Sequence, residues 1–395
     1  MNKIELLAPA GDLEKAKFAL LYGADAVYVG GKKFSLRYFA SNFTNEDILE
    51  LVNFVHHLDK KVYVTVNMVM HDEDLTGLKE YLQYLKDIKV DAIIASSIFV
   101  LKTANEINLE THMSTQLSLL NEEAVNFYFS LGSKRIVLGR ELDLEEIRDI
   151  KAHTKAEIEV FIHGGMCSSY SGRCMLSQYM CDRDPNRGGC AHSCRWEYHL
   201  YDKNQNPLFD KEDYFAISSK DLCAINEIPE LIKAGVSSLK IEGRMKSINY
   251  LAYIVSAYRR AIDDYYNNES HPEDYLKLVS SGEYRSTGHG FFHGNVTINE
   301  SLIDLKDNFD RPGEFIGVVI NYDEDKKLAE VEIKNKIEAH QKYQILSIGG
   351  HLQEITIGKI YYNDNEVEKF TIAQEKVLIE SKQILKPHSL IHKIC

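Results

Sequence analysis

Apolar positions in the first 160 residues follow two alternating rhythms. Short apolar runs with strand character lie at Ile4–Ala10, Ala26–Gly30, Lys61–Asn67, Asp91–Ser97, Glu110–Gln116, Arg135–Arg140 and Glu157–His163. Between them, Leu13–Leu21, Glu46–His57, Leu75–Lys86, Glu122–Leu131 and Leu144–His153 repeat apolar residues at helical spacing. Helix starts are marked by Asp12, by Thr44 with Asp47 three residues later, and by Asn121. Gly23 and Gly132 stand where helices should stop. Strands and helices alternating at this spacing predict βα units and a parallel sheet.

A helix around Pro229–Ala234 leads to an eighth strand, Ser238–Arg244, and then to a long helix over about Tyr250–Tyr266. Eight strands, most followed by helices, in roughly 250 residues predict an α/β fold of the TIM-type (β/α)8 barrel class rather than an open doubly wound sheet. The first strand runs into Ala8-Pro9-Ala10-Gly11-Asp12, which is not a dinucleotide-binding fingerprint. From about Gly313 the rhythm shortens. Phe315–Asn321, Leu328–Ile333, Gln344–Ile348, Ile355–Tyr361 and Lys376–Leu378 alternate like small strands, separated by turn residues. The expected division is a barrel over 1–310, carrying a cysteine-rich insertion at 163–223, and a small C-terminal all-β barrel over 311–395. Arg311-Pro312-Gly313 marks the boundary.

The chain has 395 residues, 44% hydrophobic and 27% charged, with 23 Tyr and 16 Phe, too apolar and aromatic for disorder. No apolar run reaches membrane-spanning length. The opening Met1-Asn2-Lys3-Ile4-Glu5 runs straight into a strand, so no signal peptide is expected and the cytoplasm is the expected location. The net charge of −13 argues against a simple electrostatic nucleic-acid binder. The one locally basic stretch is 160–260, with 13 Lys and Arg against 11 Asp and Glu.

That stretch holds six of the seven cysteines: Cys167, Cys174, Cys181, Cys190, Cys194 and Cys223, with Cys395 at the end. It follows the seventh strand, so its root should lie at the C-terminal mouth of the barrel, where barrel enzymes do chemistry. An odd, sparse cysteine count does not describe a secreted disulfide scaffold. Clustered thiolates suggest a metal or an iron–sulfur cluster. One pair is separated by six residues and the other by three, which suits a 4Fe-4S cluster better than the short, even gaps of structural zinc. Zinc stays open as the alternative. Arg173, Arg183, Arg187 and Arg195 are threaded among the thiols. They can offset thiolate charge, grip a phosphate or carboxylate, or pair with Asp182, Asp184 and Glu197.

The run His163-Gly-Gly-Met-Cys167 through Cys174, continued by Asn186-Arg-Gly-Gly-Cys190-Ala-His-Ser-Cys194-Arg-Trp196, resembles the signature of peptidase family U32, the collagenase-like peptidases. Ser219-Lys-Asp-Leu-Cys223, Ser238-Leu-Lys-Ile-Glu242-Gly-Arg244-Met-Lys246, Glu5-Leu-Leu-Ala-Pro-Ala-Gly11 and Gly23-Ala-Asp-Ala-Val-Tyr-Val-Gly30 fit the same pattern, so the resemblance spans nearly the whole chain. Gly165 stands where Ala is common, His192-Ser193 where Gln-Pro is common, and Cys181 is an extra. The resemblance implies a 4Fe-4S protein that hydroxylates RNA bases, of the type converting the wobble uridine of tRNA to 5-hydroxyuridine with prephenate. It implies Cys167, Cys174, Cys190 and Cys194 as cluster ligands, with Cys223 as the rival fourth. It leaves room for a partner chain of the same family.

Residues at strand C-termini should line the mouth: Asn67, Ser96, Gln116, Arg140, His163, Glu242 and Arg244. His163, Arg140, Glu242 and Arg244 are the candidate catalytic groups. Asn67, Gln116, Arg173, Arg187, Arg195 and Lys246 are the candidate substrate contacts. Trp196 beside Arg195 is either a stacking surface for a base or a packing anchor. The competing readings are a peptidase, for which no H-E-x-x-H or G-x-S-x-G motif is present, and a zinc-stabilised RNA-binding module.

Overall fold

The computed structural model describes residues 3–36, 42–208, 215–301 and 313–394. The expected boundary at Arg311-Pro312 and the last cysteine, Cys395, lie outside the described residues. Two compact units emerge. One contains the residues up to Leu20, Ala24–Lys246 and the stretch from Arg285 on; the other contains Leu21–Gly23, Ser247–Tyr284 and the C-terminal strands.

The first unit is a closed barrel. Its strands are β1 (Glu5–Pro9), β2 (Ala26–Gly30), β3 (Lys61–Val66), β4 (Ala92–Ala95), β5 (Thr111–Met113), β6 (Arg135–Val137), β7 (Glu157–Gly164) and β8 (Ser238–Ile241). Each pairs in parallel with the next, and β8 pairs with both β7 and β1, which closes the ring. The helices between them are α1 (Leu13–Leu21), α2 (Asn45–His57), α3 (Leu78–Asp87), α4 (Ile98–Glu106), α5 (Glu122–Ser130) and α6 (Leu144–Ala152). The predicted caps are in place. Asp12 accepts from the Lys15 N–H at 2.9 Å, Thr44 and Asp47 form a capping box, and Asn121 accepts from Ala124. The helix expected to begin at Leu75 is broken. Asp72–Leu75 forms a separate 3-10 turn, and α3 starts only after Gly77, whose φ of 80° interrupts the helix.

Alternate strand residues point into the barrel. Near the strand starts they are charged: Glu5, Arg135, Glu157, Glu159 and Lys240 form one ionic network. Arg135 Nη1 lies 2.5 Å from Glu5 and 3.2 Å from Glu159, and Lys240 lies 2.8 Å from Glu159. The Tyr63 and Ser238 hydroxyls donate to Glu5 at 2.6 and 2.9 Å. An apolar layer of Leu7, Ala26, Tyr28, Tyr63, Ala92 and Ile94 packs beside it. Two further short strands extend the sheet beyond the ring. Asp221–Cys223 runs antiparallel to the end of β7, and Thr287–Gly288 runs parallel to Asp221–Cys223.

The second unit contains the long helix Ile248–Asn267, the helix Pro272–Gly282 and an antiparallel β domain. Eight of its strands form one sheet around a core that includes Ile316, Val331, Ile345, Ile360, Val377 and Ile379. The stretch expected as one strand, Ile355–Tyr361, is split between His351–Thr356 and Ile360–Tyr362. Within this unit His392 is buried against Tyr253, ring centroids 5.0 Å apart, and bonds Asn249.

Candidate functional site

At the C-terminal end of β7 the backbone turns at Gly164, with φ 102°, into the cysteine segment. That segment is a chain of short turns: Tyr170–Gly172, the helix α7 (Leu176–Cys181), Pro185–Arg187 and Ser193–Arg195. Polar side chains stitch its arms together. The Ser177 hydroxyl accepts from the Ala191 N–H at 3.0 Å and meets Ser193 Oγ at 3.3 Å. Asn186 donates to the Cys174 carbonyl at 2.8 Å and accepts from its N–H.

These ties place Cys174 and Cys194 within electrostatic reach of Cys167, and Cys190 and Cys174 within reach of Cys194. Desolvation, followed by neighbouring thiols, pushes Cys167 and Cys194 above the ordinary cysteine range. Cys174 and Cys194 act on Cys167; Cys190 and Cys174 act on Cys194. Arg140 pulls Cys167 the other way, as Arg195 does Cys194. Backbone N–H groups already point at two sulfurs, Ser169 on Cys167 at 3.4 Å and Leu176 on Cys174 at 3.2 Å. Cys181 instead donates to the Ser177 carbonyl within α7. Cys223 is buried on the short strand, opposite His163.

The remaining predicted residues sort by what they touch. His163 is buried between Cys223 and Ile241, and its carbonyl accepts from the Glu242 N–H at 2.8 Å. Glu242 accepts from the Tyr28 hydroxyl at 3.1 Å. Arg244 is buried and donates to Ser35 at 3.0 Å and to the Leu36 carbonyl. Arg140 donates to the Gly165 carbonyl at 2.7 Å, lies 4.3 Å over the Phe161 ring, and keeps its Nε without a hydrogen-bond partner among the described residues. A cavity beside Cys167 is lined by Arg140, Glu141, Met166, Tyr170 and Phe291. Asn67 holds the chain around it, accepting from the Leu36 N–H through its side chain and from Ser96 through its carbonyl. Arg173 donates to the Gln116 carbonyl at 2.6 Å, while Gln116 Oε1 is buried with no bonded donor among the described residues. Arg187 is paired with Asp74, which it holds well below the usual carboxylate range, so it fastens the segment to the loop after β3.

Arg195 and Lys246 converge on a residue to which sequence reasoning assigned no role. Asp221 is fully buried, 3.5 Å from each of them and 2.9 Å from Arg285. Three cations on one carboxylate leave local positive charge beside the cysteine segment. Asp221 lies inside a motif already singled out, but Arg285 has no local signature. Glu227, His289 and His293, which also meet in this unit, went unnoticed, although the His-x3-His spacing is visible in the sequence.

Comparison with known proteins covers most of the chain. Residues 11–301 match the model of peptidase family U32, and residues 311–392 that of the peptidase family U32 C-terminal domain. A tRNA hydroxylation protein P1 of Bacillus subtilis (strain 168) is 45% identical over 346 residues, 85% of this chain and 81% of the relative. A 23S rRNA 5-hydroxycytidine synthase of Escherichia coli (strain K12) is 40% identical, over 66% of this chain and 40% of its own length. A collagenase of Porphyromonas gingivalis (strain ATCC BAA-308 / W83) is 32% identical across 100% of this chain and 98% of the relative. No helix among the described residues is long and apolar enough to cross a membrane. With its barrel, its cysteine segment and its β domain all matched, the chain belongs to peptidase family U32.

Proposed function

We propose that this protein is an RNA-modifying hydroxylase that carries a 4Fe-4S cluster on Cys167, Cys174, Cys190 and Cys194. Its substrate is the wobble uridine of tRNA, converted to 5-hydroxyuridine, and its co-substrate is a dicarboxylate of the prephenate type. The observation that supports this most is that desolvation, and after it neighbouring thiols, hold Cys167 and Cys194 above the ordinary cysteine range, while backbone N–H groups meet the sulfurs of Cys167 and Cys174. Such a setting is unfavourable for bare thiolates and is relieved by a cationic iron–sulfur core; N–H donors to the sulfurs tune such a core. When bound, the cluster would supply one-electron chemistry.

The chain's own residues would do the rest. Arg195, Lys246 and Arg285, with Asp221 fixing their positions, offer more positive than negative charge to a carboxylate ligand. Arg140, anchored on Gly165 and Phe161, would add a donor beside Cys167. Tyr170 and Trp196 are exposed on the cysteine segment and offer faces on which a base can stack. Relatives named for hydroxylation of tRNA and of 23S rRNA support RNA as the substrate class.

Protein purified without air should be brown, with about four irons and matching sulfide per chain. Serine at Cys167, Cys174, Cys190 or Cys194 should bleach it. Deleting the gene should remove 5-hydroxyuridine and its derivatives from digested tRNA, as read by mass spectrometry. Colourless protein holding zinc on the four thiols, with tRNA unchanged by the deletion, would overturn the proposal. Collagen cleavage that Cys167→Ser abolishes would favour the activity named for the Porphyromonas relative.

A further inference from the structure

Three side chains outside the cysteine segment converge on one point. Glu227 follows the short strand Asp221–Cys223, and His289 and His293 follow Thr287–Gly288. His289 Nδ1 lies 2.8 Å and His293 Nε2 2.9 Å from the same oxygen, Glu227 Oε1. One ligand atom from each of the three falls within 4.8 Å of the others. We propose that Glu227, His289 and His293 form a second metal site, taking a divalent zinc-class ion with coordination positions open to solvent.

The alternative is a carboxylate that merely accepts two imidazole N–H bonds, and it accounts poorly for the arrangement. Both imidazoles crowd onto Oε1 while Glu227 Oε2 is buried with no hydrogen-bond partner among the described residues. A buried acceptor left bare costs about 1–3 kcal/mol, and a shared pair of donors would normally be divided between the two oxygens. A divalent ion at the convergence point removes both difficulties. It takes the lone pairs of two neutral imidazoles, and the carboxylate can turn either or both oxygens to it.

The loop holds this geometry without help from a metal. Phe292, between the two histidines, is buried, and its carbonyl accepts from the Leu144 N–H at 3.2 Å. The Gly290 N–H donates to Glu300 at 3.2 Å, and the Gly294 N–H to the Phe291 carbonyl at 2.8 Å. The imidazoles lie edge to face, with centroids 4.9 Å apart.

The donor set selects the ion. Two imidazoles and a carboxylate suit zinc, iron(II), cobalt or nickel rather than calcium or magnesium. The site is half open: Glu227 is buried, while the His289 and His293 side chains are 49% and 58% exposed. Three protein ligands with an accessible remainder describe an exchangeable site that binds water or an anionic oxygen, unlike a closed structural zinc. Phe291, which lies between the two histidines in the chain, also lines the cavity beside Cys167.

The test uses full-length protein purified without air, equilibrated with micromolar zinc chloride and passed through a desalting column. Iron and zinc are then counted by mass spectrometry. About one zinc per chain is expected in the wild type and in a Cys167→Ser/Cys190→Ser variant. Zinc should fall roughly tenfold or more in His289→Ala/His293→Ala and in Glu227→Gln, with far-UV circular dichroism and iron content unchanged. Zinc should also raise the melting temperature of the wild type and not that of the histidine variant. Wild-type zinc content in the histidine variant, or zinc lost only with the cysteines, would overturn the proposal. So would a wild type that retains none, which would leave a hydrogen-bonded triad. None of these readouts depends on hydroxylase activity, so the proposal stands or falls apart from the proposed function.

Discussion

Replacing Lys240 with methionine removes one charge from the barrel interior while keeping most of the side chain's volume. The Lys240 ammonium is 2.8 Å from Glu159, whose side chain is fully buried, and lies 4.4 Å over the Tyr28 ring. Glu159 then keeps its ion pair with Arg135, at 3.2 Å, which is shared with Glu5 and Glu157. Breaking a buried pair from one side costs about 3–5 kcal/mol, and the surviving Arg135 contact puts Lys240→Met near 3 kcal/mol. For a barrel of this size that is a fall on the order of 5–10 °C in melting temperature. Glu159→Gln alone should cost a similar amount, since it leaves an ammonium buried. The double variant should recover about 2 kcal/mol of the summed loss, because both charges are gone. The dependence on pH carries the same signature. Burial alone would raise the Glu159 carboxyl; Lys240, then Arg135 and His112, outweigh it and hold the group at about 2. A carboxyl depressed in the folded state stabilises above its unfolded value and loses that contribution as pH falls toward the folded one. Without Lys240, burial raises the carboxyl again, so the cost of Lys240→Met should be largest at neutral pH and shrink toward pH ~5, where Glu159 can take a proton. Urea titrations of the four proteins at the two pH values make the test. Additive single losses, or a cost that does not change with pH, would refute it.

A Cβ at Gly30 would fall 1.9 Å from Arg244 Nη1 and 2.4 Å from Ser35 Oγ, so Gly30→Ala should destabilise by about 2–3 kcal/mol in urea, with less added loss once Arg244 is already alanine. His392 is pushed down to about 3 by burial, so the unfolded chain binds a proton first as pH drops, and stability should fall from about pH 6.5 downward. His392→Asn should flatten that slope in thermal melts across pH 7 to about 4.5. Arg285→Met removes the nearest partner of Asp221, and should raise KM for an anionic co-substrate about tenfold, or 1.4 kcal/mol, with kcat nearly unchanged; a parallel loss in both would mark a merely structural arginine.

The barrel was legible because its signals are local. Seven of the eight ring strands fall within the predicted apolar runs and the seventh in order overruns its run by one residue, Gly164, while Asp12, Thr44 and Asn121 cap the helices they precede. The cysteine segment was legible as a cluster because its residues are near in sequence. What escaped was chemistry assembled from distant segments. Glu5, Arg135, Glu157 and Lys240 read as ordinary charges at strand ends, yet the ring turns them inward onto one another. Asp221 meets Arg285, and Glu227 meets His289 and His293, from opposite sides of the long helix Ile248–Asn267 in the chain. The converse holds for Arg244 and Arg187. Both stand in a basic stretch that suggests ligand contact, and folding engages one with Ser35 and Leu36 and the other with Asp74. No periodicity records such partners, since each depends on which loops the closed ring brings side by side.

The way β7 is paired has a consequence for how such a protein can change over evolution. It bonds β8 directly, and the whole cysteine segment leaves from its end and returns through Asp221–Cys223, which lies back against the same strand. The excursion therefore leaves and rejoins the hoop of strands at one strand end, and Arg187 and Arg173 tie it to neighbouring loops. Its length can change between descendants while the hoop stays shut. One closed hoop can in this way carry excursions of different reach without losing its own pairing.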